Sequence, residues 1–207
     1  MVRIKICGIT NFKDARAAID LGADALGFNF FEGSPRFVSV ESAKEIIRQT
    51  PASAWFVGVF VNEHRERIID IAKEVRLDTL QFHGDETPEF CSDWEQWRTI
   101  KAIRLGSQKD LATIAQFNEV VDHCLFDARD AQAYGGTGQK VDDILLENDE
   151  LKKVLSTSFL AGGLTAQNVA ERVSAYQPFG VDVASGVEIA PGKKSFQQMR
   201  DFIEAAR

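Results

Sequence analysis

Along this chain, short runs of β-branched and aromatic residues alternate eight times with helical patterns, and that alternation leaves few folds open. The strands are expected at residues 2–7, 25–30, 54–61, 79–83, 99–103, 123–127, 158–161 and 180–184. Helical stretches follow at 12–21, 42–49, 62–75, 88–94, 109–117, 141–147, 165–175 and 195–206. The first helix places Ala15, Ala18 and Ile19 on one face and stops at Gly22; Asn62 is read as the cap of the third. The run 54–61 is almost continuously apolar, as in a strand covered on both faces. Parallel crossovers of this kind are right-handed, and eight of them close into a (β/α)8 barrel, an α/β fold that uses residues 1–207 as one domain. An open doubly wound sheet is the alternative. It would carry G-x-G-x-x-G after the first strand, and no such motif is there. Gly135-Gly136-Thr137-Gly138-Gln139-Lys140 lacks the G-K-[S/T] ending of a P-loop.

Charge and cysteine usage narrow the function classes. The net charge of −7 disfavours nucleic acid and acidic membrane surfaces as partners. No apolar run is long enough to span a bilayer, and the N-terminus reads as a strand carrying Arg3 and Lys5, so a cytoplasmic protein is expected. Cys7, Cys91 and Cys124 have no paired spacing, which argues against a disulfide framework. The histidines are scattered and neither C-x-x-C nor H-x-x-x-H occurs, so no metal site is expected. An anionic small molecule remains open as substrate if local donors overcome the global sign.

In such a barrel the chemistry sits at the carboxyl ends of the strands. Period two puts Lys5 and Cys7 on one face of the first strand, with Ile4 and Ile6 turned to the helices. On the sixth strand His123, Leu125 and Asp127 share the inward face. A thiol and a carboxyl can therefore meet across the top of the barrel as a base and acid pair. Equally, Cys7 can be a small buried hydrophobe and Asp127 a turn cap; for Cys91 and Cys124 the core role is preferred. Lys5 either helps hold Cys7 as thiolate or pairs with an interior carboxylate. Gly162-Gly163 and Ser185-Gly186 end the last two strands, where this fold usually binds phosphate through backbone N–H groups. Arg36, after Pro35, can grip a carboxylate with two hydrogen bonds or lie solvated in its loop. His83 either lines the pocket or is structural.

Eight segments together resemble one family: KICGIT at 5–10, GSPR at 33–36, GVFVN at 58–62, LQFHGDE at 80–86, FDAR at 126–129, GGTGQ at 135–139, AGGL at 161–164 and GVDVASGVE at 180–188. PGKKS at 191–195 also fits. The resemblance, over essentially the whole chain, is to the phosphoribosylanthranilate isomerases of tryptophan biosynthesis. It implies an Amadori rearrangement of N-(5-phosphoribosyl)anthranilate to the carboxyphenylamino-deoxyribulose phosphate, without metal or cofactor, by a monomer or homodimer. It makes Cys7 the general base and Asp127 the general acid. It gives Arg36 the anthranilate, and Gly162, Gly163, Ser185 and Gly186 the phosphate; Asp182 and His83 join them as substrate-binding residues. A thiol titrates near ~8.5 and an aspartic acid near ~3.9, so these roles ask for opposite tuning. Two departures are visible: Ala184 stands where the family more often has serine, and the segment 139–143 lacks a common aromatic residue. Other phosphosugar barrels are the nearest rivals, but a histidine-pathway isomerase usually has aspartate in place of Cys7. A non-catalytic phosphate-binding barrel would keep the late glycines and lose Cys7 or Asp127.

Overall fold

The computed structural model describes residues 1–128, 141 and 143–207. Arg129, the GGTGQ segment and Asp142 lie outside these residues.

Eight parallel strands close into a barrel in chain order: β1 (Arg3–Cys7), β2 (Ala25–Asn29), β3 (Trp55–Phe60), β4 (Thr79–Phe82), β5 (Arg98–Leu105), β6 (His123–Ala128), β7 (Phe159–Leu160) and β8 (Gly180–Val183). Around it run α1 (Phe12–Leu21), α2 (Val40–Gln49), α3 (Arg65–Val75), α4 (Pro88–Cys91), α5 (Leu111–Phe117), α6 (Asp143–Leu146), α7 (Asp149–Leu155), α8 (Val169–Tyr176) and α9 (Phe196–Ala206). A hairpin, β9 (Glu188–Ala190) with β10 (Lys193–Lys194), follows β8. Local chemistry sets the helix starts. Asn11, Ser39, Thr87 and Ser195 each accept a backbone N–H from the first turn of their helices, and Gly22 ends α1 in the left-handed conformation.

Three expectations need correction. Asn62 does not cap α3: His64 occupies that position, and Asn62 takes a positive φ of 51° with its side chain accepting from the Asp85 N–H at 2.7 Å. Asn62 thus ties the ends of β3 and β4 together instead of starting a helix. The stretch before β7 holds a second helix, α7, which Asn148 starts by accepting from the N–H groups of Glu150 and Leu151. Its acidic first turn and its lysines in the last turn suit the helix dipole. The hairpin β9–β10 stands between the last expected strand and the last expected helix, where no element was expected.

Barrel interior and helix layer have separate cores. Ile4, Ile6, Phe82 and Phe126 pack outward with helix residues such as Ala15, Ile68 and Phe202. Ala25, Val57, Ile100, Leu125 and Phe159 fill the inside. Aromatic rings close the amino end of the barrel: His123 stacks on Phe179 at 4.3 Å between centroids and on Trp55 at 5.8 Å. Arg3 and Arg98 lie over the Trp55 ring. With that end packed, the buried polar side chains Lys5, Gln81, Lys101, Asp127 and Asp182 gather toward the other. Such groups are costly unless partnered, so their partners define the site.

Candidate active site

Residue Cys7 is the last of β1 and pairs in register with Gly27 of β2. A side chain at position 27 would place its Cβ 2.8 Å from Cys7 Sγ and 3.1 Å from Lys5 Nζ. The thiol and the ammonium therefore share the space that this glycine leaves. Lys5 is fully buried and donates to Asp182 Oδ1 at 2.7 Å, its register partner on β8. Burial pulls the Lys5 pKa down, but Asp182 and then Cys7 outweigh it, so the net shift is upward and the ammonium form holds. Of the two roles considered for it, Lys5 takes the pairing with an interior carboxylate, and it also lies beside the thiol. Desolvation by burial is the largest influence on the thiol and pushes its pKa up, with Lys5 opposing only in part.

Asp127 closes the other side. Its Oδ1 accepts the Ala128 N–H at 2.9 Å, which is the turn-capping role, while Oδ2 lies 3.5 Å from His83 Nε2. Gln81, fully buried on the same face of β4, sets its amide 2.9 Å from His83 Nδ1. That contact orients the imidazole. His83 Nε2 and Gln81 Oε1 are buried without hydrogen-bond partners among the described residues, so the imidazole edge facing Asp127 keeps unused capacity. The turn after His83 is pinned by Glu86, which accepts from the N–H groups of Asn62 and Gly84 and pairs with Lys101 at 2.6 Å.

Asp127 and Asp182 line one cleft with Gly162, Gly163, Ala184, Ser185 and Gly186. Gly162 and Gly163 have φ of 81° and 58°, a region that costs other residues roughly 1–2 kcal/mol. At Gly186 a Cβ would come within 2.0 Å of the Leu164 carbonyl oxygen. The two glycine ends are thus folded tightly against each other, with backbone lining the cleft between them. Ala184, where a hydroxyl was looked for, uses its backbone: its carbonyl accepts from Lys194 Nζ at 3.2 Å.

Arg36 is not a solvated loop arginine. It is buried, and its stem lies against Gly8, where a Cβ would sit 2.6 Å from Arg36 Cδ. Gly8 has a φ of 78°, so the turn after Cys7 and the room for Arg36 depend on the same missing side chain. The guanidinium donates from Nε and Nη2 to the Glu188 carboxylate at 2.8–3.1 Å. Glu188, Lys194, Gln81 and Gly27 were not singled out from the sequence. The first two lie within GVDVASGVE and PGKKS, and Gln81 shares the inward parity of His83, a signal by which it could have been found. Among the described residues, no group of three or more His, Cys, Asp or Glu side chains is arranged to hold a metal ion, and no helix is long and apolar enough to cross a membrane.

Comparison with known proteins matches residues 4–205 to the family model of N-(5′-phosphoribosyl)anthranilate (PRA) isomerase. The N-(5′-phosphoribosyl)anthranilate isomerase of Geobacter metallireducens is 46% identical over 208 residues, covering 100% of both chains. The crystal structure of phosphoribosyl anthranilate isomerase from Thermotoga maritima superimposes with a TM-score of 0.90 at 37% identity, over 100% of this chain and 98% of that one. A phosphoribosyl anthranilate isomerase crystallised with reduced 1-(o-carboxyphenylamino)-1-deoxyribulose 5-phosphate has a TM-score of 0.87, again at 37% identity, over 100% of this chain and 98% of that one.

Proposed function

The chain belongs to the N-(5′-phosphoribosyl)anthranilate isomerase family, and from that footing we propose that it converts N-(5-phosphoribosyl)anthranilate to 1-(2-carboxyphenylamino)-1-deoxyribulose 5-phosphate, an isomerisation of tryptophan biosynthesis. The observation that carries the reading is the meeting of the Cys7–Lys5–Asp182 group, Asp127 and the two glycine ends around one cleft.

In this reading the substrate phosphate lies against the backbone of Gly162, Gly163, Ser185 and Gly186, and Arg36 faces the anthranilate carboxylate. Asp127 protonates the furanose ring oxygen. The C1–O bond breaks and the nitrogen lone pair forms the protonated Schiff base at C1. His83, held by Gln81, stands 3.5 Å from Asp127 and steadies its carboxyl through this change. Cys7 then removes the proton from C2, giving the enolamine, which tautomerises to the C2 ketone as C1 gains a proton. The raised pKa of Cys7 fits this order. Burial opposes ionisation of the thiol, and the cationic Schiff base and Lys5 together favour its ionised form once the ring has opened. Asp182 holds Lys5 in place beside it.

The test follows the loss of substrate fluorescence, with N-(5-phosphoribosyl)anthranilate generated in situ, on wild type, Cys7→Ala and Asp127→Asn. Removing a general acid or base costs about 10²–10⁴-fold, so both variants should collapse with their circular dichroism unchanged. A Cys7→Ala enzyme that keeps most of its rate defeats the base assignment; a wild type without turnover defeats the substrate.

A further inference from the structure

A second charged cluster lies behind Arg36. Glu188 has 4% side-chain exposure, and its carboxylate accepts from Arg36 Nε and Nη2, from Lys194 Nζ at 2.7 Å and from the Gly192 N–H at 3.3 Å. Lys194 has no side-chain exposure. Besides Glu188 it donates to the carbonyl oxygens of Cys7 and Ala184. Its three protons are therefore all committed. Burial pulls its pKa down while Glu188 opposes the fall. Lys194 is itself fixed, since its N–H donates to Asp14 Oδ2 at 2.8 Å and the Thr10 hydroxyl donates to the Gly192 carbonyl.

Three distant parts of the site converge on this pair. The Cys7 carbonyl belongs to the residue that carries the thiol. The Ala184 carbonyl precedes the Ser185-Gly186 turn. Arg36 comes from the loop after β2. Glu188 grips the guanidinium by its Nε–Nη2 edge and so directs Nη1 away from itself, while the stem is wedged on Gly8. A guanidinium held bidentately from behind is fixed in plane as well as in position.

We propose that Glu188 and Lys194 are positioning residues that hold Arg36, the end of β1 and the end of β8 in one frame, setting the distance between the site for the substrate carboxylate, the thiol and the phosphate cleft. Neither residue touches substrate in this scheme. The proposal rests on the reading of Arg36 as the carboxylate partner. Without the pair, Arg36 keeps its charge but not its aim, and the enzyme loses its preference for a substrate bearing the ring carboxylate.

The experiment compares kcat/KM for the anthranilate substrate and for the aniline analogue lacking the carboxylate, in wild type, Arg36→Met, Glu188→Gln and Lys194→Met. A misplacement on the order of 1 Å costs up to about 100-fold, so Glu188→Gln and Lys194→Met should lower the ratio of the two kcat/KM values about 10-fold or more. Arg36→Met should abolish the preference, and Glu188→Gln added to Arg36→Met should lower it no further. A general weakening of the fold would reduce both substrates alike and leave the ratio intact, which overturns the proposal. Should Glu188→Gln fail to fold, Glu188→Asp, which keeps the charge and withdraws it by one methylene, carries the same expectation. If Arg36→Met leaves the preference unchanged, the reading of Arg36 fails; a preference lost in Arg36→Met but kept in the folded Glu188 and Lys194 variants refutes positioning alone.

Discussion

Substitution Gly27→Ala is the sharpest probe of how closely the thiol is held. The new Cβ would lie 2.8 Å from Cys7 Sγ, 3.1 Å from the Cys7 Cα and 3.1 Å from Lys5 Nζ. Comfortable non-bonded separations are about 3.5–4.0 Å, so Sγ must retreat by roughly 1 Å, carrying Lys5 away from Asp182 or bending β1 from β2. A displacement of that size costs about 10²-fold in rate when the moved group removes the proton. Overpacking itself costs about 1–3 kcal/mol, which in a domain of this size lowers Tm by about 2–12 °C. The control is Gly58→Ala on β3, whose Cβ would meet Leu77 Cδ1 at 2.3 Å and Phe60 Cε2 at 2.8 Å on the helix side of the barrel. Both variants should lose Tm, and only Gly27→Ala should lose kcat, measured by substrate fluorescence alongside thermal unfolding by circular dichroism. A Gly27→Ala enzyme within about threefold of wild type, with the Tm loss present, would falsify the claim that the Cys7 position limits turnover.

Three further outcomes follow from buried titratable groups. Lys5→Met leaves Asp182 without its partner and should cost about 3–5 kcal/mol in denaturant unfolding, most of it restored when Asp182→Asn is added. The same Lys5→Met change removes the cation that opposes burial at Cys7, so the pH midpoint of thiol alkylation should move up; an unchanged midpoint sinks that reading. Cys91 and Cys124 are pushed from 9.0 up to about 12, in each case chiefly by burial. Both stay protonated in the fold while the unfolded chain ionises above pH 9, so their stabilisation is whole below pH 9 and drains away as the pH rises toward 12. The fall in denaturant midpoint across that window should be shallower in the Cys91→Ala/Cys124→Ala protein than in wild type, even though the double variant starts lower.

The barrel was legible because its signals are local. Period two along β1 and β6 separates inward from outward residues without knowledge of any neighbour, and the eight strands close in chain order. The errors also have local causes. Asn62 carries the side chain of a helix cap, yet its partner, the Asp85 N–H, lies on another strand's loop, and no propensity reports that. Helix α7 is polar throughout except for Leu151, Val154 and Leu155, so its apolar stripe was too thin to separate it from the turn before it.

The site was half legible for a related reason. Cys7, Asp127 and the late glycines stand at strand ends, where the topology alone makes them candidates. Arg36 was read as either gripping a carboxylate or lying solvated in its loop, and no local signal chose between the two, since the carboxylate that seats it is 152 residues away. That carboxylate answers the question raised by the acidic composition. A chain of net charge −7 draws no anion by its overall field, and the cluster of Arg36, Glu188 and Lys194 sets two cations against one carboxylate. The surplus positive charge is buried at the Arg36 end, where the field of surface carboxylates is weakened by solvent and the local field is not. Lys5, although paired with Asp182, still bears on the thiol. The surplus thus lies at the place proposed for a substrate anion and reaches the thiol as well, since Lys194 donates to the Cys7 carbonyl and joins Lys5 in opposing the upward push of burial on the Cys7 pKa.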